Sequence, residues 1–197
     1  MSNALKSEAK AHSRQIIRSL IFLAFIAAIG LAADLGTKYS VFAWRGLPGE
    51  QPKWWLIEPY VGIQTSCNPG ALFGLGRGQQ KIFAAISFVF FGGMIYWIAT
   101  AKSAISTATL VALGAIAAGI LGNLYDRLGL WHFDGLHPQF HYTVRDWILF
   151  QYNDNYVWPN FNLADSYLVC AAIYILAWNW FAPNPTVALG SAKAAAS

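Results

Sequence analysis

IFAAISFVFFGGMIYWIATA, residues 82–101, runs twenty positions without a charge. A bilayer's hydrocarbon core takes roughly 20 mostly apolar residues of helix, so this stretch is long enough to span it. After Lys102 and Ser103 a second uncharged run covers residues 104–125. A third begins at Ser166 and continues without charge past Ala182 to Lys193. Upstream, Ser19 to Ala33 is apolar, and Asp34 and Lys38 follow before Tyr39-Ser-Val-Phe-Ala-Trp44. Four residues apart, these two charges share a helix face and can pair, so the first helix extends to about Phe42. The sequence predicts an all-α integral membrane protein with four transmembrane helices, near residues 17–42, 82–101, 104–125 and 161–181. Residues 1–15 read as a cytoplasmic tail, 16–181 as the membrane domain and 182–197, rich in Ala, Pro and Ser, as a disordered end.

Composition agrees. Of 197 residues 56% are hydrophobic and 11% charged, against about 25% charged in soluble domains, and mean hydropathy is +0.41. The isoelectric point of about 9.1 rests on 13 basic against 9 acidic residues. No basic cluster suited to a phosphate backbone accompanies it, which argues against nucleic acid. Cys67 and Cys170 are too few for a disulfide framework. A cleaved secretory signal is the rival reading of the N-terminus; its removal would leave three helices and strand Asp34 and Lys38 outside any scaffold. Lys6, Lys10, Arg14 and Arg18 precede helix 1, and the loop at Lys102-Ser103 is short, so both termini are expected in the cytoplasm.

With four spans, helices 1 and 3 end on the outer face, where helices 2 and 4 begin. Asp34 and Lys38, Asn68 to Ala71, Asn123 with Asp126 and Arg127, and Asn162 with Asp165 then converge at one interface. Ionisable groups at membrane depth are costly, which makes them candidates for function. The outer connections, about residues 43–81 and 126–160, are rich in Trp and Tyr, rings that favour the headgroup layer. Val61, Ile63, Thr65 and Cys67 alternate with Gly62, Gln64 and Ser66 as in a half-buried strand, and residues 141–144 offer a partner. A small extracytoplasmic β platform is expected, with an amphipathic or lipid-bearing ligand. Ser66 has no obvious base. Two close carboxylates can share one proton, the ionised member activating water and the protonated one polarising a carbonyl. The competing structural roles are helix capping for Asp165 and an ion pair with Arg127 for Asp126. His132, His137 and His141 with Asp134 lack a helical face or Cys and make a poor metal pattern. Gly114, Gly119 and Gly122 read as close helix packing, Gly119 also as room for a ligand. From spacing alone, Asp126 is the favoured catalytic acid.

The residues also carry a family resemblance. Gly119-Ile-Leu-Gly-Asn-Leu-Tyr-Asp-Arg127 and Phe161-Asn-Leu-Ala-Asp-Ser166 resemble two signature blocks of the bacterial lipoprotein signal peptidases (signal peptidase II). Asp34-Leu-Gly-Thr-Lys38 is similar to that family's Asp-x-x-Thr-Lys block, and Asn68-Pro-Gly-Ala-Leu-Phe-Gly74 to its Asn-x-Gly-Ala-x-Phe block. Pro69 and Leu72 stand where Thr and Ala are usual, and a longer segment, Trp131 to Tyr142, separates Arg127 from Val144. The resemblance moves the catalytic pair to Asp146, in Val144-Arg-Asp146-Trp147, and Asp165, in Asn162-Leu-Ala-Asp165. It makes Asn68, Gly70, Gly119, Asn123, Asp126, Arg127, Asn162 and Ala164 the supporting and substrate-positioning set, and Asp34 and Lys38 a structural ion pair.

What the resemblance implies is an aspartic endopeptidase of the bacterial inner membrane. It would remove signal peptides from diacylglyceryl-modified prolipoproteins by cutting before the lipidated cysteine. No cofactor, metal or covalent intermediate is implied, the active site would lie at the outer face, and the partners would be prolipoproteins and membrane lipids around a monomer. A small ion-coupled transporter using intramembrane aspartates is the alternative; it would place polar residues at the bilayer midplane.

Overall fold

The computed structural model describes residues 3–70 and 78–181. It contains α1 (Asn3–Arg45), β1 (Trp54–Ile57), β2 (Val61–Asn68), α2 (Gln80–Ala99), α3 (Thr107–Arg127), β3 (Val144–Asn153), β4 (Tyr156–Val157) and α4 (Leu163–Phe181). All four helices are long and apolar enough to cross a membrane. The expected C-terminal tail and Ala71 to Gly74 of the Asn68 motif lie outside the described residues. The first helix reaches back to Asn3, through the stretch read as a tail. The connection between α2 and α3 takes residues 100–106 rather than two, because Ser106 caps α3 by accepting the Thr109 amide at 3.1 Å.

The α3 helix is the central one, half buried where the others expose most of their surface. Small residues let its neighbours approach. A Cβ on Gly119 would lie 2.6 Å from the Ala164 carbonyl oxygen of α4. One on Gly122 would lie 2.3 Å from Asp34 Oδ2 of α1. Gly119 is therefore a packing position against α4, and it does not line the cleft described below. Leu23, Ala27, Ile98, Leu113 and Ala117 form the buried apolar cluster. On the opposite face of α1, Ile17, Ile21, Phe25 and Ile29 recur every four residues and are exposed, as a lipid-facing stripe would be.

The sheet is antiparallel in the order β1-β2-β3-β4. Two expectations are corrected here. The partner of β2 is Val144–Asn153, not residues 141–144, because Pro138–Phe140 make a 3₁₀ turn and His141 and Tyr142 fold back onto His132. Nor does β2 keep one alternation throughout. Ile63 pairs with Ile148 but Ser66 with Asp146, so one extra residue bulges from β2. A bulge exchanges the two faces of a strand beyond it, and Gly62 and Thr65 are the buried positions.

Candidate active site

The site is built where α1, α3, β3 and the start of α4 meet. Asn162 precedes α4 and caps it: its Oδ1 accepts the Asp165 amide at 3.0 Å, and Asp165 Oδ2 accepts the Asn162 amide at 3.2 Å. This reciprocal arrangement satisfies two backbone donors at the helix start. The same Asn162 donates through Nδ2 to Asp146 Oδ1 at 2.6 Å. One residue thus bonds both aspartates, although 19 positions separate them in the chain.

A second amide extends the network. Asn123 of α3 donates from Nδ2 to Asp165 Oδ1 at 2.8 Å, while its Oδ1 accepts from Asn162 Nδ2 and Lys38 Nζ, each at 3.1 Å. An ammonium can only donate. Lys38 therefore fixes which end of the Asn123 amide faces inward, and hence that an N–H points at Asp165. Lys38 itself lies between two carboxylates, 2.8 Å from Asp34 Oδ2 and 3.2 Å from Asp126 Oδ2. Asp34 Oδ1 in turn accepts the Ala164 amide of α4 at 3.0 Å.

Asp126 does not pair with its sequence neighbour Arg127. Its Oδ1 receives Nε and Nη2 of Arg145 at 3.1 and 2.8 Å, and its Oδ2 receives the Arg145 backbone N–H at 2.9 Å. Successive helix residues point about 100° apart, which turns Arg127 elsewhere. The Arg127 guanidinium lies over the Phe83 ring at 5.6 Å and reaches the Gly70 carbonyl at 3.5 Å. Asp126, the acid that spacing favours, is fully buried and holds two cations rather than facing a ligand. Arg145 was not singled out in the sequence. A second charge beside Asp146, at the buried start of β3, was the available signal.

A cleft of about 660 Å³ opens onto this network. Asp146, Asp165, Asn68 and Arg127 line it, with Ser66 and Cys67 along β2 and Pro48, Val157 and Phe161 as apolar walls. Gly70 donates its amide to Asn68 Oδ1 at 2.9 Å, which leaves the Asn68 N–H groups to serve Asp146. Asp146 is 2% exposed. Burial first, and the nearby Asp165 second, push its carboxyl well above the usual range despite Lys38, Asn162 and Asn68. Both causes favour the protonated form of Asp146. Burial pushes the Cys67 thiol up to about 12, which makes it a poor nucleophile at neutral pH.

The competing acids lie elsewhere. Asp134 and Asp154 are exposed and neither lines the cleft. The loop histidines are tied to backbone: His132 Nε2 accepts the Tyr142 amide at 2.9 Å, His137 Nδ1 accepts that of Gln139 at 3.3 Å, and His141 Nε2 meets the Leu136 carbonyl at 3.0 Å. No group of three potential metal ligands forms among the described residues.

Residues 26–181 match the model of the Peptidase_A8 family, signal peptidase (SPase) II. The chain belongs to the signal peptidase II family. It is 52% identical over 151 residues to a lipoprotein signal peptidase of Rhodopirellula baltica, covering 77% of this chain and 68% of that one. A lipoprotein signal peptidase of Streptomyces griseus is 31% identical over 172 residues, with 86% and 80% covered. A solved bacterial membrane enzyme shares the fold, with a TM-score of 0.64 at 24% identity over 82% of this chain and 94% of that one. Family membership makes the chain a membrane peptidase, and its four long helices suit a bacterial inner membrane.

Proposed function

We propose that this peptidase removes signal peptides from diacylglyceryl-modified prolipoproteins, cutting before the lipidated cysteine by a water that Asp146 and Asp165 activate. The observation that carries the reading is Asn162, bonded to both carboxylates at the floor of one cleft. Protonated Asp146 donates to the scissile carbonyl oxygen, and Asp165 takes a proton from the attacking water. The tetrahedral intermediate then collapses: its hydroxyl returns a proton to Asp146 as the C–N bond breaks, and Asp165 passes its proton to the leaving amine. Asn123 and Asn162 orient the carboxyls, Asn68 and Arg127 hold substrate backbone, and Gly70 with its turn shapes that wall. Gly119 and Ala164 set the distance between α3 and α4. Asp34 and Lys38 tie α1 to both.

The lipid dependence rests on where the cleft lies. It opens at the end of the bundle beside Trp158, with Tyr60, Tyr152 and Tyr156 exposed on the same sheet. Such rings suit the headgroup layer, where a diacylglyceryl chain stays in the bilayer while the peptide reaches the aspartates. In this reading the termini are cytoplasmic, the sheet lies on the outer face of the inner membrane, and the enzyme works as a monomer among lipids. A transporter would need its polar groups at the midplane on broken helices, whereas these cluster at one end of continuous ones.

The test is cleavage of a diacylglyceryl-modified precursor peptide by the purified chain, beside the same peptide unmodified. Cutting before the modified cysteine, and at least tenfold slower cutting of the unmodified peptide, is expected. Equal rates on both, or cleavage elsewhere, would sink the assignment.

A further inference from the structure

The stretch of β3 that carries Asp146 has an edge that β4 leaves uncovered. Beta4 pairs only with Gln151 and Asn153, so residues 145–148 need other partners on that side. Two anchors supply them. On the C-terminal side, the amides of Trp147 and Ile148 donate to the Phe161 carbonyl at 3.0 and 2.8 Å. On the N-terminal side, Asp126 stands in for a strand: it accepts the Arg145 amide with one oxygen and the Arg145 guanidinium with the other. Asp146 is the residue between the two anchors.

The Arg145 side chain is enclosed from both sides. Its guanidinium carbon lies 4.3 Å from the Tyr39 ring centroid of α1 and 5.1 Å from that of Trp131. Arg145 is 1% exposed and Trp131 6%. Trp131 comes from the segment between α3 and β3 and is pinned by its own indole N–H to the Thr143 carbonyl at 3.2 Å. A cation between two rings, shielded from water, binds its carboxylate more firmly than an exposed one. With Lys38 and Asp34 the group carries two positive and two negative charges, so burial leaves no net charge uncompensated.

We infer that Arg145 is a positioning residue for the peptidase reaction, locking the β3 backbone to Asp126 so that Asp146 meets Asn162 and Asp165, and that the Trp131 to Tyr142 segment serves to seal this lock. The inference rests on the proposed peptidase reading for its kinetic test, but not for its spectroscopic one.

The experiment compares wild type, Arg145→Lys, Arg145→Met and Trp131→Leu as full chains, with Asp134→Asn as the control for an exposed acid. Lysine keeps the charge but cannot serve the same carboxylate while filling the aromatic slot. Expected are a kcat about 100-fold lower in Arg145→Met, the scale of a small misplacement of a reacting group, and smaller losses in the other two. KM should stay near the wild-type value. The basic limb of the pH profile should move upward in Arg145→Met, because a displaced Asp146 loses the Asn162 and Asn68 hydrogen bonds that favour its ionised form. A merely structural role would lower the amount of active enzyme without moving that limb. Wild-type kcat in Arg145→Lys and Trp131→Leu, or losses that track folded protein with an unmoved profile, would overturn the inference.

If wild type cleaves no lipidated peptide, it is the peptidase reading that fails. Infrared titration of the protonated Asp146 carboxyl band, identified by its loss in Asp146→Asn, then decides. The band should persist to higher pH in Arg145→Met, and an unchanged titration in it and in Trp131→Leu would contradict the lock.

Discussion

Asn162 Nδ2 has two hydrogens and three acceptors in reach: Asp146 Oδ1 at 2.6 Å, Asn123 Oδ1 at 3.1 Å and the Arg145 carbonyl at 3.4 Å. Asn162→Ala removes the group that joins the aspartates and also uncaps α4. Loss of a cap costs about 1 kcal/mol, which a melting curve reads, while kcat should fall far more than that stability loss explains. Asp146 gives a pH signature. Its folded-state pKa lies above the ordinary 3.8, so the folded chain keeps a proton that the unfolded chain releases. The resulting stability is complete below 3.8 and is lost as pH rises through the folded value. Activity should fall over the same upper limb, and Asp146→Asn should abolish that part of the pH dependence of stability. Cys67, with its thiol held up near 12, should resist alkylation at neutral pH in the folded chain.

Helix positions were legible in the sequence because a span leaves a long uncharged run, and residues 82–101 and 104–125 leave little choice. The ends were less so. The uncharged run starts at residue 104, but α3 starts only after Ser106, whose hydrogen bond with the Thr109 amide leaves no mark on hydropathy. The β2 alternation was visible, but the bulge between Ile63 and Ser66 was not, since an extra residue leaves no mark on polarity. Asp126 and Arg127 illustrate the same limit: adjacency suggests a pair, yet helix geometry sends them to different partners. Asp146 could not be selected by spacing at all, because its strand is brought to α4 by long-range pairing; the motif resemblance supplied it. Packing between elements yields its own prediction. Gly119→Ala gains about 1 kcal/mol of helix propensity but puts a methyl 2.6 Å from the Ala164 carbonyl and 2.7 Å from Leu168 Cγ. Backbone cannot yield there as a side-chain tip can, so the clash should prevail, lowering both melting temperature and kcat as α4 shifts Asp165.

Across the whole molecule, few charges do much of the positioning. Asp34, Lys38, Asp126 and Arg145 are all buried and come from α1, α3 and β3, and their mutual bonds draw these elements together where apolar contacts lose their direction in lipid. Breaking one such buried pair costs about 3–5 kcal/mol, so Lys38→Met should cripple folding as well as activity, visible as loss of monodisperse protein in detergent. Chelation should leave cleavage unchanged, since the proposed chemistry runs through two carboxyls and water. The fold delivers those two carboxyls from β3 and α4 to one cleft. The most direct measurement is the kcat of Asp146→Asn and Asp165→Asn on a diacylglyceryl-modified precursor, each variant shown to be folded. Losses of about 10³-fold or more in both, within the range of acid–base catalysis, are expected, with Asp134→Asn near wild type. Cleavage by either active-site variant within tenfold of the wild-type rate would contradict water activation by this pair of aspartates.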